Sequence, residues 1–143
     1  MLLLIEGPAG GGKSELLREL LAAGEIDLAA DITELWAAVG GYERDPATGK
    51  YPVRRENDPA LSAARYLQTV AAGFGLREGY KVAVSTSQRD QVSRWAEVAT
   101  RHNSGMSVRT VDPGREVVAA RLSDPVTGEL SADCDAAISR WYR

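Results

Sequence analysis

Residues Gly7-Pro8-Ala9-Gly10-Gly11-Gly12-Lys13-Ser14 set four glycines, a lysine and a serine between an apolar run and an amphipathic stretch. Met1-Leu2-Leu3-Leu4-Ile5 is continuously apolar, the pattern of a parallel strand buried on both faces. Beyond the glycines, Leu16, Leu17, Leu20 and Leu21 recur at helical spacing with Glu15, Arg18 and Glu19 on the other side, and Gly24 stands where a helix stops. Strand, glycine-rich turn and helix in that order aim a helix N-terminus past the end of a strand. The backbone N–H groups there gather around an anion. The eight residues satisfy G-x-x-x-x-G-K-[ST] at every fixed position. In that pattern the loop amides, here from Gly7 to Ser14, wrap nucleotide phosphates. Lys13 reaches the outer ones, and the Ser14 hydroxyl ligates the accompanying Mg2+. The segment therefore implies ATP or GTP with magnesium.

The 143 residues suffice for one domain with a real core, and 44% apolar with 26% charged residues is ordinary for a soluble globular chain. No apolar run approaches the roughly 20 residues of a membrane span, so no membrane partner is expected. The single cysteine, Cys134, excludes an internal disulfide and suits a reducing, cytoplasmic setting. A net charge of −3 gives no support to a nucleic-acid surface, although three lysines against fourteen arginines leaves phosphate recognition open beside codon bias.

Strand and helix patterns alternate through the rest of the chain. A short strand is expected near Ile26–Ala30 and a helix or turn through Thr33–Val39. Gly40–Asn57 reads as an excursion whose Asp45-Pro46-Ala47-Thr48-Gly49-Lys50 is a turn, with Tyr42 and Tyr51 able to pair across a hairpin. Asp58-Pro59 opens a helix carrying Leu61, Ala64, Leu67 and Ala71, which the cluster Gly73, Gly75 and Gly79 ends. Lys81–Ser85 is a buried strand. Ser87–Asp90 has the form of a capping box for a helix with Val92, Trp95 and Ala99. Met106–Val111 is a fourth strand, Asp112-Pro113 a helix start running to Leu122, Asp124–Glu129 a second turn, and Ser131–Tyr142 a last helix. The expectation is an α/β domain over 1–143, a parallel sheet of about four strands covered by helices on both faces.

Beyond the loop, Val82-Ala83-Val84-Ser85-Thr86-Ser87 with Arg94-Trp95-Ala96, and Ser107–Leu122, make the chain similar to small P-loop kinases of the polynucleotide kinase and gluconate kinase type. It also resembles uncharacterised small P-loop proteins of actinobacterial phages. The kinase resemblance implies strand order 2-3-1-4, with Lys81–Ser85 beside Met1–Ile5, and a mobile lid at about 112–131. In the lid, Arg121 matches an arginine that approaches the donor phosphates. Asp31, just after the second strand, matches the family's acid that takes the acceptor's proton, yet aspartate there is equally a strong helix cap. The family's magnesium-associated carboxylate is missing. Its strand ends here in Ser85, whose hydroxyl is the candidate to hold a metal-bound water.

Together these features predict a P-loop phosphotransferase in which Lys13, Asp31 and Arg121 are catalytic, with Ser14 and Ser85 on the metal side and the excursion at 40–57 facing an unidentified acceptor. The alternative is a nucleotide-binding or slow ATP-hydrolysing module of a larger assembly. Of the other candidates, Glu34 is expected on a solvated face, His102 at a helix end, and Cys134, Trp36, Trp95 and Trp141 in packing roles. One histidine and one cysteine do not supply a zinc site.

Overall fold

β1 (Leu2–Glu6) is the second strand from one edge of the sheet in a computed structural model that describes residues 1–143. It is followed by α1 (Lys13–Ala22), β2 (Leu28–Ala30), α2 (Ile32–Gly40) and α3 (Pro59–Arg77). The remainder comprises β3 (Val82–Thr86), α4 (Val92–Arg101), β4 (Met106–Thr110), α5 (Arg115–Leu122) and α6 (Ala132–Trp141). All strands are parallel in the order β2-β3-β1-β4, with Leu2 opposite both Val82 and Met106. The kinase-like order is therefore observed, and β1 and β3 are neighbours.

Alternation along the two inner strands divides the core. Leu2, Leu4, Val82 and Val84 face Ala72 and Leu76 of α3 and Trp95, Val98 and Ala99 of α4. Ile5 and Ala83 face the other way, toward Leu17 and Leu20 of α1 and Ile26. With both faces covered, every strand's carboxyl end opens on the same rim, where ligands of such sheets bind. No helix is long and apolar enough to cross a membrane.

Tertiary packing overrules several local signals. α3 continues through Gly73 and Gly75 and stops only before Gly79, whose φ is 79°. A Cβ on Gly75 would lie 2.6 Å from Val82 Cγ2, so that glycine lets the helix approach β3 closely. Its buried stripe is Leu61, Ala64, Gln68, Ala72, Gly75 and Leu76, and Leu67 is 43% exposed instead of inward. Ser87 does not cap α4. A 3-10 turn at Arg89–Gln91 leads into that helix, and Thr86 Oγ1 accepts from the Gln88 amide. Asp112 likewise caps no first turn of α5. It accepts from Trp141 Nε1, the Tyr142 hydroxyl and the Gly114 amide, tying α6 to the end of β4. The excursion forms no strand pair, because Tyr42 and Tyr51 are covered by Arg54 and Arg44, each at 4.3 Å, and not by each other.

Candidate nucleotide site

The glycine loop lies at the rim because β1 delivers it there, and two close approaches hold it. Gly7 N–H donates to Thr86 O at 3.2 Å, joining the loop to the end of β3. A Cβ on Gly7 would sit 2.2 Å from Val111 O, so only glycine fits between β1 and β4. Gly10 and Gly12 adopt φ of 75° and 100°, the left-handed region that side chains disfavour. Gly12 caps α1 without a side chain, and the amides of Gly10, Gly12, Lys13 and Ser14 donate to no backbone carbonyl. Helix N-terminal amides are unpaired by geometry, and here nothing local satisfies them.

Lys13 is only 5% exposed, and its Nζ donates to Gly7 O at 2.9 Å and Pro8 O at 2.8 Å. Burial drives its pKa down to about 8, against the opposing pull of Asp31 and Glu15. The ammonium is thus folded back on its own loop with its charge poorly solvated, and an anion at the loop would stabilise it.

Asp31 caps α2 through Oδ1, which accepts from the Thr33 amide at 3.0 Å. The same oxygen accepts from the Ser85 hydroxyl at 3.1 Å, and neither bond uses Oδ2. Ser85 is fully buried. Its Oγ also accepts from Ile32 N–H at 3.0 Å, so its one donor is spent on Asp31. The end of β2 therefore carries a buried carboxylate anchored to Ser85 at the end of β3. Gln68 of α3 secures the same junction, its Nε2 donating to Ala30 O at 2.9 Å and Ser85 O at 2.8 Å. The sequence signal for Gln68 is a single polar residue inside a helix's apolar stripe.

Arg121, in the last turn of α5, donates from Nη1 to Gly10 O at 3.1 Å, and Lys50 of the excursion donates to Arg121 O at 3.2 Å. Glu34 is not on a free solvated face. It meets Arg44 and the Tyr51 hydroxyl, so α2 anchors the excursion. Arg140 and Arg55 bind Glu56 and Asp133 and fasten the excursion to α6. Cys134, Trp95 and Trp141 are buried, Trp36 is half-buried and His102 ends α4.

These elements enclose a cavity of about 620 Å³ bordered by the glycine loop, the starts of α2 and α4, one face of α3, the excursion and Arg121. Nine basic and three acidic side chains line it. Six of the basic ones, Lys13, Lys50, Arg54, Arg65, Arg94 and Arg121, have no carboxylate within 4.0 Å. No three His, Cys, Asp or Glu side chains cluster to hold a metal unaided. A hydroxyl at Ser14 and an unused carboxylate oxygen at Asp31 suit Mg2+, which keeps several waters and takes its other ligands from phosphates.

No protein-family model and no curated protein matches the sequence. Among solved structures, a chain in the structure of the Pnkp1/Rnl/Hen1 complex superimposes with a TM-score of 0.63 at 13% identity. The match covers 92% of this chain and 40% of that one. The chain shares that neighbour's fold over most of its length, an α/β domain whose sheet is all parallel in the order β2-β3-β1-β4. At this identity the likeness is one of fold, and the chain spans well under half the neighbour's length.

Proposed function

We propose that this protein is an ATP- or GTP-dependent phosphotransferase acting on a hydroxyl acceptor. One observation carries the reading: Lys13 and Arg121, distant in sequence, line one basic cavity at the carboxyl rim of the sheet, and Asp31 is hydrogen-bonded to Thr33 and Ser85 of its wall. The loop amides and Lys13 hold the outer phosphates, where Lys13 exchanges its Gly7 and Pro8 carbonyl partners for phosphate oxygens. Arg121 spreads positive charge over the group in flight, as a planar guanidinium does well. Asp31 accepts the acceptor's proton on Oδ2, with Oδ1 held by Thr33 and Ser85 so that the free oxygen has a defined direction. An acceptor O–P bond forms, the β–γ bridging O–P bond breaks, and a nucleoside diphosphate leaves. Mg2+, which Ser14 would hold together with the phosphates, would neutralise charge on the donor.

Ser85 contributes in this reading as a positioning residue for Asp31 and not as a direct metal ligand. The absence of an acid at the end of β3 favours the second reading, a slow nucleotide-hydrolysing module. Incubating the protein with γ-labelled ATP and nucleosides, oligonucleotides and sugars separates the two. Label on an organic acceptor, lost in Asp31→Asn, supports the kinase. Label released only as inorganic phosphate supports the module.

A further inference from the structure

α3 and α4 form the cavity wall away from the glycine loop, and only Gln68 on it has been given a role above. Leu61, Arg65 and Gln68 lie on one face of α3 and all line the cavity, and Arg94 and Trp95 line it from α4, with Gln91 of the turn before that helix. Gln68 is fixed to Ala30 O and Ser85 O. Arg65, three residues earlier on the same face, lies about one helical turn toward the start of α3 and lines the same cavity. Its guanidinium makes no hydrogen bond or ion pair with the protein. Arg94 is satisfied only by neutral oxygens, namely Gln91 Oε1 at 3.2 Å, Thr69 Oγ1 and Arg65 O at 3.4 Å. Burial first, and the Arg65 charge second, push its pKa down, the signature of two cations short of a counterion.

A second observation lies in the same wall. Trp95 is completely buried, lines the cavity, and its Nε1–H is the one buried side-chain polar atom without a partner. Leaving such a donor unpaired is costly, and an acceptor oxygen that reached it would recover that cost. Two guanidiniums without a carboxylate partner and a buried N–H call for an anion with several oxygens. A dianion offsets both cations, whereas a carboxylate offsets one. We infer that Arg65, Arg94 and Trp95 form a second anion subsite, for a phosphate monoester already present on the acceptor, so that the acceptor carries both a phosphate and the hydroxyl offered to Asp31. The inference deepens the proposed phosphotransferase reading and rests on it for the word acceptor, while the binding itself is separable.

The test uses equilibrium binding, with the donor loop disabled by Lys13→Met. Inorganic phosphate is titrated into that variant while the indole N–H resonance of Trp95, assigned through Trp95→Phe, is followed by NMR. Saturable movement of that resonance is expected, with at least a 10-fold loss of affinity on adding Arg65→Gln or Arg94→Gln. Arg65→Gln removes no hydrogen bond within the protein, so an unchanged thermal midpoint is expected and misfolding does not mimic the loss. A nucleoside monophosphate, a sugar phosphate and a phosphate-ended oligonucleotide, each compared with its unphosphorylated form, distinguish the sources. Phosphate affinity untouched by both arginine variants, or a stationary Trp95 resonance, overturns the subsite. If phosphate binds as described but no acceptor is phosphorylated by wild type, the kinase reading fails and the subsite stands.

Discussion

The Ser85 hydroxyl donates to Asp31 Oδ1 at 3.1 Å, coupling the end of β3 to the end of β2 across 54 positions of sequence. The same hydroxyl accepts from Ile32 N–H, so removing it orphans a buried amide and frees a carboxylate oxygen together. Ser85→Ala should lose about 1–3 kcal/mol in urea unfolding. Ser85→Asp should lose more at neutral pH, because it buries a second carboxylate against the first. Equal stability of Ser85→Ala and wild type would mean that the junction is held by Gln68 alone.

Asp31 combines a cap with the proposed proton acceptor, and asparagine separates the two. Asn is as good an N-cap as Asp, so Asp31→Asn should keep the thermal midpoint within a few degrees. As general base its loss should lower kcat roughly 100-fold or more, with little change in nucleotide affinity. Full turnover by Asp31→Asn would restrict the residue to capping.

Lys13 gives the fold a pH dependence of determinable sign. Its folded pKa, about 8, lies below the ordinary 10.5, so the unfolded chain binds more protons between those values. Stability contributed by this group therefore rises with pH across that window. Between pH 7 and 9.5 the relief is about 2 kcal/mol, at 1.36 kcal/mol per pKa unit. Above that, Tyr142, whose pKa is raised to about 12, works in the opposite direction. Lys13→Met should be more stable than wild type at pH 7 and lose this rise. Parallel pH profiles of midpoint for the two proteins would contradict the burial of an ammonium. The same variant should abolish calorimetric binding of Mg2+–ATP.

Arg121 is exposed and touches the loop through one hydrogen bond to Gly10 O. Arg121→Ala should leave stability within about 0.5 kcal/mol. Loss of its charge in the transition state should lower kcat by about 100- to 1,000-fold, far more than it weakens nucleotide binding. Steady-state kinetics with separately measured nucleotide affinity decide this, and equal losses in both would make Arg121 a ground-state binder.

The first 24 residues carry their structure locally. Glycines that alone tolerate φ of 75° and 100°, an apolar run before them and a leucine stripe after them make strand, loop and helix legible from this segment alone. Alternation of patterns likewise made the parallel sheet legible, because a strand buried on both faces and an amphipathic helix leave different periodicities. Element ends were less legible. Gly73 and Gly75 look like stops, yet α3 runs through them because contact with β3 outweighs a glycine's cost of about 0.5–1 kcal/mol in a helix.

Long-range juxtaposition has no local signal at all. Nothing near Ser85 announces Asp31, and nothing near Gln68 announces the two carbonyls that it joins. A net charge of −3 conceals a cavity with nine basic and three acidic side chains, since composition sums over a surface that folding divides. Chain chemistry specified the phosphate loop because its conformational demands lie within eight consecutive residues. The wall opposite, where Arg65, Arg94 and Trp95 meet, exists only because two helices pack on the same face of the sheet and bring their side chains to one rim.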